Sequence, residues 1–237
     1  MIESLENKKV KDWCRLQLKK YRQENYLLLE EELVTKAKES GHLKTLIYCG
    51  RRPFPFAESY EVSAPVMEKI AGEKKRYIGV GTRIEEKAPQ GERILLLDEL
   101  QDPLNVGMII HSAVLFGFDA LVLSQNTADL YHEKCLKASC GDLYELPICR
   151  ADLFETVKEL RKHGYLVYAT GLREDTLKLS SAEAKEKMAF ILGNEGSGVR
   201  PELMSAADAT VKIEMENIDS LNVAVAASIL MYHFRKR

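Results

Sequence analysis

The stretch Phe190-Ile191-Leu192-Gly193-Asn194-Glu195-Gly196-Ser197-Gly198-Val199 decides how this chain is read. Its short apolar run has the composition of a buried strand, and it breaks into a loop with three glycines around an Asn-Glu pair. Glycine admits a positive φ or a close approach of backbone to a ligand. Open α/β sheets bind ligands at the carboxyl ends of their strands, which is where this polar pair stands. The order Gly193, Gly196, Gly198 is not G-x-G-x-x-G, and Val199-Arg200 replaces the Lys-Ser/Thr of a nucleoside-triphosphate loop. Taken alone, the loop reads equally well as a plain strand-to-helix turn, with Pro201 opening the helix.

Around this stretch the chain alternates strand and helix, the mark of a mainly parallel sheet. Strands are predicted over 94–97, 120–123, 165–169, 188–192 and 210–213. Helices are predicted over about 106–116, 133–139, 153–163, 201–206 and 221–234. Gly117 and Gly164 fit helix ends, and Asp152 and Ser220 fit amino-terminal caps. Before position 84 lies a smaller α/β unit. It reads as helices over 7–20, 30–39 and 64–70, with strands over 26–29, 46–49, 60–62 and 77–80. The organisation expected is a small domain over 1–84, a linker over 85–93 rich in charge with Pro89 and Gly91, and a parallel-sheet domain over 94–237.

Composition narrows the function classes. The chain has 237 residues, 46% hydrophobic and 30% charged, values ordinary for a soluble globular protein. The start, Met1-Ile2-Glu3-Ser4-Leu5-Glu6, lacks the apolar core of a signal peptide, and no apolar run reaches the length of a membrane span. Five cysteines with no C-x-x-C pair point to free thiols in a reducing compartment, so a cytoplasmic protein is expected. His132 and Cys135 lack a second pair at zinc spacing, and no metal is expected. The net charge of −2 does not announce a nucleic-acid binder, yet basic clusters stand at Lys8 to Arg22, Arg51-Arg52, Lys74-Lys75-Arg76 and Arg235-Lys236-Arg237. Such patches bind phosphate while the whole stays near neutral, although each alone reads as a solvated face.

Three polar clusters follow strands of the larger domain. The first runs from Asp98 to Gly107, where Asn105 stands about where a helix begins, free to cap it or to point into the crevice. His111 follows six residues later, near the other side of that helix, so a shared site requires the chain to bend before Val106. The second is the glycine loop. The third runs from Glu214 through Asn217, Ser220 and Asn222 into the last helix, whose buried stripe is Val223, Ala226, Ala227, Leu230 and Phe234. With Ser220 as the cap, Asn222 is a surplus polar group in the first turn.

These clusters resemble, in this order, the three motifs of the SpoU/TrmH family of knotted RNA ribose methyltransferases. The residues concerned are Asp102-Pro103-Leu104-Asn105-Val106-Gly107, Leu192-Gly193-Asn194-Glu195-Gly196-Ser197-Gly198 and Ser220-Leu221-Asn222-Val223-Ala224-Val225-Ala226. Ala138-Ser139-Cys140-Gly141 and Leu146-Pro147 between them also fit, and Tyr21-Arg22 with Leu27-Leu28-Leu29-Glu30 resembles the ribosomal-protein-like substrate domain often joined to such enzymes. The resemblance implies a carboxyl-terminal trefoil knot, a rare exception to the rule against threading. It implies S-adenosylmethionine held by Thr170, Gly171, Gly193, Asn194, Gly198, Ile213, Met215 and Leu221, and a catalytic set of Asn105, His111, Glu195, Ser220 and Asn222. It further implies a homodimer, and an RNA substrate, ribosomal rather than transfer RNA, met by Lys20, Arg22 and Lys137. The cofactor carries an activated methyl, so this chemistry calls for no metal.

The chain departs from the family pattern at three positions. His111 stands where the family usually has a catalytic Arg, exchanging an always-charged planar fork for an imidazole, a group that titrates near neutrality. His111 then accepts the hydroxyl proton itself, or another basic residue takes over, or catalysis is weakened and an RNA-binding protein that keeps the cofactor pocket remains. Lys137 replaces an Arg, and Glu214 the proline common after the Ile of the third motif.

Overall fold

Asn7 opens the first helix, α1 (Lys8–Arg15), by accepting from the Lys9 amide at 2.9 Å. The helix stops well before position 20 because the Arg22 guanidinium turns back and donates to the carbonyls of Leu16 and Gln17, leaving only a 3-10 turn at Lys19–Tyr21. The computed structural model describes residues 1–171, 176–216 and 221–236, in two units: residues 1–85 with 129–144, and residues 86–128 with 145–237.

The first unit continues with β1 (Asn25–Leu28), α2 (Glu31–Glu39), β2 (Leu43–Tyr48), β3 (Ser59–Glu61), α3 (Ala64–Ala71) and β4 (Tyr77–Thr82). Its sheet has the order β1-β4-β2-β3, antiparallel except that β3 runs parallel to β2. Val10 and Trp13 of α1 meet Val66 and Ile70 of α3 over Leu27, Ile47 and Ile78, burying the apolar stripe of each helix on one sheet face.

The second unit holds β5 (Arg93–Leu97), α4 (Pro103–Leu115), β6 (Ala120–Leu123), β7 (Ile148–Arg150), α6 (Leu153–Lys162), β8 (Leu166–Thr170), β9 (Leu177–Lys178), β10 (Met188–Leu192), α7 (Pro201–Ala206), β11 (Ala209–Lys212) and α8 (Val223–Phe234). The helix α5 (Glu133–Ala138) lies in residues 129–144, which the sequence reading places in the larger domain but which pack with the first unit. Conversely, Glu86 and Lys87 of the expected linker belong to the second unit, where the Glu86 carboxylate accepts from the Arg150 amide at 3.0 Å.

All pairs in the seven-stranded sheet are parallel, in the order β7-β6-β5-β10-β8-β11-β9. Every residue of β5, β6 and β10 is buried, as a parallel sheet covered on both faces requires. From β5 the chain steps outward to β6 and β7, crosses to β8, and then inserts β10 between β5 and β8. The carboxyl ends of the neighbouring parallel strands β10, β8 and β11 open into a crevice. The sequence reading missed β7 and β9, edge strands of three and two residues, too short to carry a periodic signal. Asp152 caps α6 as expected, accepting from Phe154 and Glu155, and Gly117 and Gly164 end their helices at φ +70° and +80°.

Candidate active site

The glycine loop after β10 closes on itself. Asn194 and Gly198 exchange backbone hydrogen bonds at 3.1 and 2.9 Å. A Cβ on Gly193 would stand 2.1 Å from the Val199 nitrogen, so the loop's own backbone already requires glycine there. Gly198 sits at φ +72°, the left-handed region that side chains resist. The Asn194 side chain is the loop's internal strut: its Oδ1 accepts from Gly196 and Ser197, and its Nδ2 donates to the Glu99 carbonyl at 2.8 Å. Glu99, after β5, holds φ +57°, a rare state for a side-chain-bearing residue, with its amide donating to Ser124 Oγ.

Glu195 points from this loop toward the loop after β5. One of its oxygens accepts from the Asp102 amide at 3.1 Å and Asn105 Nδ2 at 3.0 Å, and the other from the Gln101 amide at 3.0 Å. Partial burial pulls the carboxyl upward, but the Asn105 amide and the backbone donors outweigh it and hold the group below the usual carboxylate range. Asn105 is 4% exposed, and its Oδ1 accepts from Asn222 Nδ2 at 3.0 Å. Three side chains from three separate stretches thus form one string, Asn222 to Asn105 to Glu195.

Both helix starts differ from the sequence reading. Helix α4 begins at Pro103 with Asp102 as its cap, Oδ1 accepting from Leu104 at 2.9 Å, so Asn105 lies in the first turn and the chain does not bend before Val106. Asn222, not Ser220, caps α8, accepting from Ala224 and Val225, which makes its side chain bifunctional: cap oxygen inward, amide to Asn105. Ser220 lies outside the described residues.

Beside this string lies a cavity of about 260 Å³ at the crevice. Thr170 and Gly171 line it from the end of β8, Gly193, Asn194 and Gly198 from the glycine loop, Ile213 and Met215 from beyond β11, and Leu221 from the approach to α8. All eight residues expected at a cofactor are therefore on its wall, joined by Glu195 and Asn222. For one of them the physical reason differs from expectation: Asn194 is occupied with its own loop. A Cβ on Gly171 would meet Met204 Cε at 2.3 Å, the end of a flexible side chain that can give way. The sequence reading missed Leu179, Leu192, Val211, Lys212, Val223, Ala226 and Leu230 as lining. Leu192, Val223, Ala226 and Leu230 were legible only as apolar strand or helix positions, and Leu179 comes from a 3-10 turn without a sequence signal.

Glu214, which replaces the family's proline, accepts a hydrogen bond from Ser180 Oγ, tying the segment before Met215 to the turn that carries Leu179. His111 is half-buried in the third turn of α4 and is not among the described residues lining the cavity, nor in the Asn222–Asn105–Glu195 string. Its neighbour Ser112 meets Ser228 of α8 at 2.9 Å.

In the first unit, Lys20 is exposed beside the Tyr21 ring, and Lys137 is exposed 3.3 Å from Glu30. Arg22 corrects its expectation. It is 9% exposed, its Nε and Nη2 hold Asp129 at 2.9 and 2.8 Å, and Nη1 holds two carbonyls, so its donors are engaged internally rather than offered to RNA. His132, weighed above as a metal ligand, caps α5 through Nδ1. Among the described residues no helix is long and apolar enough to cross a membrane.

A parallel sheet with a cavity walled by the ends of three neighbouring strands and the start of the last helix describes a class of α/β proteins, and solved structures similar to this chain include methyltransferases. One is the AdoMet-bound rRNA methyltransferase from Sinorhizobium meliloti, with a TM-score of 0.87 and 27% identity over 98% of this chain and 95% of that one. Another is an RNA 2'-O ribose methyltransferase, with a TM-score of 0.81 and 26% identity over 98% and 96%. In sequence, the 23S rRNA (guanosine(2553)-2'-O)-methyltransferase RlmP of Bacillus subtilis is 35% identical over 245 aligned positions, covering 99% of this chain and 98% of the relative. The model of the SpoU rRNA Methylase family matches residues 92–232. The chain belongs to that family.

Proposed function

We propose that this protein transfers a methyl group from S-adenosylmethionine to a ribose 2′-hydroxyl of ribosomal RNA. The observation that carries this reading is the hydrogen-bonded string Asn222–Asn105–Glu195 standing beside a largely apolar cavity. Full-length similarity to a 23S rRNA methyltransferase supports the RNA, and similarity to an AdoMet-bound enzyme supports the cofactor. The lining suits that group: Leu192, Val211, Ala226 and Leu230 offer an apolar slot for an adenine ring, and polar groups at Thr170, Glu195 and Asn222 stand around it. When bound, the cofactor supplies an activated methyl.

The chain's own residues then have separate tasks. Glu195, kept ionised, accepts hydrogen bonds and orients donors, among them the ribose hydroxyl; its low pKa makes it a weak proton acceptor. Asn105, held from both sides, fixes the direction of Glu195. Asn222 couples both to the start of α8, and Ser220 belongs to the same set by its motif. We assign the removal of the hydroxyl proton to His111, on the helix that carries Asn105.

A second reading, an RNA-binding protein of weak activity that keeps its cofactor pocket, is favoured by His111 in place of Arg and away from the cavity lining. Methyl transfer to rRNA by purified protein separates the two. In His111→Ala the rate falls by about 100-fold or more, while calorimetric affinity for S-adenosylmethionine holds. A rate unchanged in His111→Ala removes this residue from proton transfer. Activity that arises only in His111→Arg establishes the weak-enzyme reading.

The assembly we infer is a cytoplasmic homodimer. Leu104, Met108 and Leu115 of α4 and Val225, Ile229 and Tyr232 of α8 are large apolar side chains left exposed on two helices that pack together. Such a patch on a soluble protein suits a second copy. Residues 86–128 with 145–237 form the methyltransferase domain in this reading, with the carboxyl-terminal segment threaded as a trefoil knot. Residues 1–85 with 129–144 grip RNA, Lys20 and Lys137 among the contacts.

A further inference from the structure

Two basic runs far apart in sequence, Arg51-Arg52 and Lys74-Lys75-Arg76, come together in the first unit. The end of β2 pairs with the start of β4, Tyr48 opposite Tyr77, and the Cys49 amide donates to the Arg76 carbonyl at 2.8 Å. The loop that leaves β2 carries Arg51-Arg52-Pro53-Phe54-Pro55-Phe56. Its Phe54 ring lies 6.0 Å from the Tyr77 ring, edge-on at 80°. The Lys38 ammonium stands 4.5 Å from the Phe54 centroid, and the Arg76 guanidinium 5.9 Å from that of Tyr77.

The charges around these rings are not balanced. Arg76 pairs with Glu31, and Lys75 with Glu30 and Glu73. Lys38, Arg51, Arg52 and Lys74 are exposed and have no carboxylate within ion-pairing distance among the described residues. Solvated lysines alone would be an ordinary surface. What sets this patch apart is two half-buried aromatic rings in contact, Phe54 between Pro53 and Pro55 on the loop and Tyr77 at the start of β4, each with a cation beside it. Rings of that kind take up unstacked bases, and the cations beside them take up the phosphates between those bases. A duplex hides its base faces and meets only the charges.

We propose that this patch binds a single-stranded segment of the RNA substrate, with Phe54 and Tyr77 stacking on bases and Arg51, Arg52 and Lys74 contacting phosphates. The inference rests on the reading that the protein acts on RNA and names where the first unit meets it.

The test uses the full chain, a labelled oligouridylate, a perfect RNA duplex of equal charge and poly-glutamate as competitor, with S-adenosylmethionine affinity measured alongside. Phe54→Leu, which keeps apolar bulk, weakens oligouridylate binding about ten-fold, whereas Phe54→Tyr holds it. Arg51→Gln with Arg52→Gln weakens binding and flattens its dependence on salt by one to two ion equivalents, at about 0.7–0.9 per phosphate contact. All variants keep wild-type cofactor affinity, which reports the second unit, and the wild-type far-ultraviolet circular dichroism and thermal unfolding profile, which show that the first unit folds too. Equal binding and an equal salt slope in both sets of variants overturn the proposal, as does tighter binding of the duplex than of the single strand. Displacement of the RNA by poly-glutamate at matched charge overturns it in favour of an acidic protein partner. A wild-type protein that binds oligouridylate but not S-adenosylmethionine contradicts the proposed activity instead and leaves the patch standing.

Discussion

At the scale of single residues the site turns on Asn105. It is buried, donates to Glu195 and accepts from Asn222, so its removal leaves a carboxylate oxygen and an amide each short of a partner. Asn105→Ala is expected to cost about 1–3 kcal/mol of stability in urea unfolding and most of the methyl-transfer rate. Asn105→Asp is expected to be worse for activity, because it sets a second carboxylate against Glu195. The pH dependence follows from the direction of the Glu195 shift. A carboxyl depressed in the folded state contributes stability above its unfolded value, about 4.3, and that contribution is lost as pH falls through the lower folded value. A carbon-detected NMR titration of Glu195 should show a midpoint below about 4.3, rising in Asn105→Ala. A midpoint at or above that value in the wild type would remove the hydrogen-bond argument. The motif residues themselves were legible in the sequence, but their partners were not. Nothing local tells that Asn222 caps a helix and also reaches Asn105, because the two are 117 positions apart. Arg22 failed as an RNA contact for the same reason, since its partner Asp129 is 107 positions away.

At the scale of elements, the glycine loop separates two kinds of glycine. Gly193→Ala drives a Cβ into the backbone of Gly198 and Val199, at 2.2 and 2.1 Å, where no flexible side chain can give way. Gly196→Ala meets only Asn194 Oδ1, at an ordinary 3.5 Å. The first substitution should abolish S-adenosylmethionine binding in calorimetry, and the second should change it by no more than a few-fold. Equal effects of the two would show that the loop is not held as described. Strand β10 and its glycine punctuation were readable because five consecutive buried apolar residues followed by Gly have few other meanings. Helix boundaries near the site were less readable. The expected start of α4 at Val106 moved back to Pro103 because Asp102 is the better cap and proline suits the first turn. Asn222 likewise displaced Ser220 as the cap of α8.

At the scale of the whole molecule, the parallel sheet of the second unit and the α/β character of the first followed from the alternation of patterns along the chain. The seven-strand order did not, because the insertion of β10 between β5 and β8 is a long-range choice with no local trace. Nor did the membership of residues 129–144, whose apolar residues Leu130, Tyr131, Cys135 and Leu136 read equally well against either unit. The exposed apolar row on α4 and α8 belongs to this scale too. Ile229→Asp with Tyr232→Asp should convert a dimer to a monomer in light scattering, without loss of the far-ultraviolet circular dichroism. A wild-type protein already monomeric at micromolar concentration would remove the dimer. The central claim is tested most directly by mapping 2′-O-methylation across the ribosomal RNA of cells with and without the gene. One ribose methyl is expected to disappear on deletion and to return with the wild-type gene but not with Asn105→Ala; an identical methylation map in both strains would contradict the proposed activity.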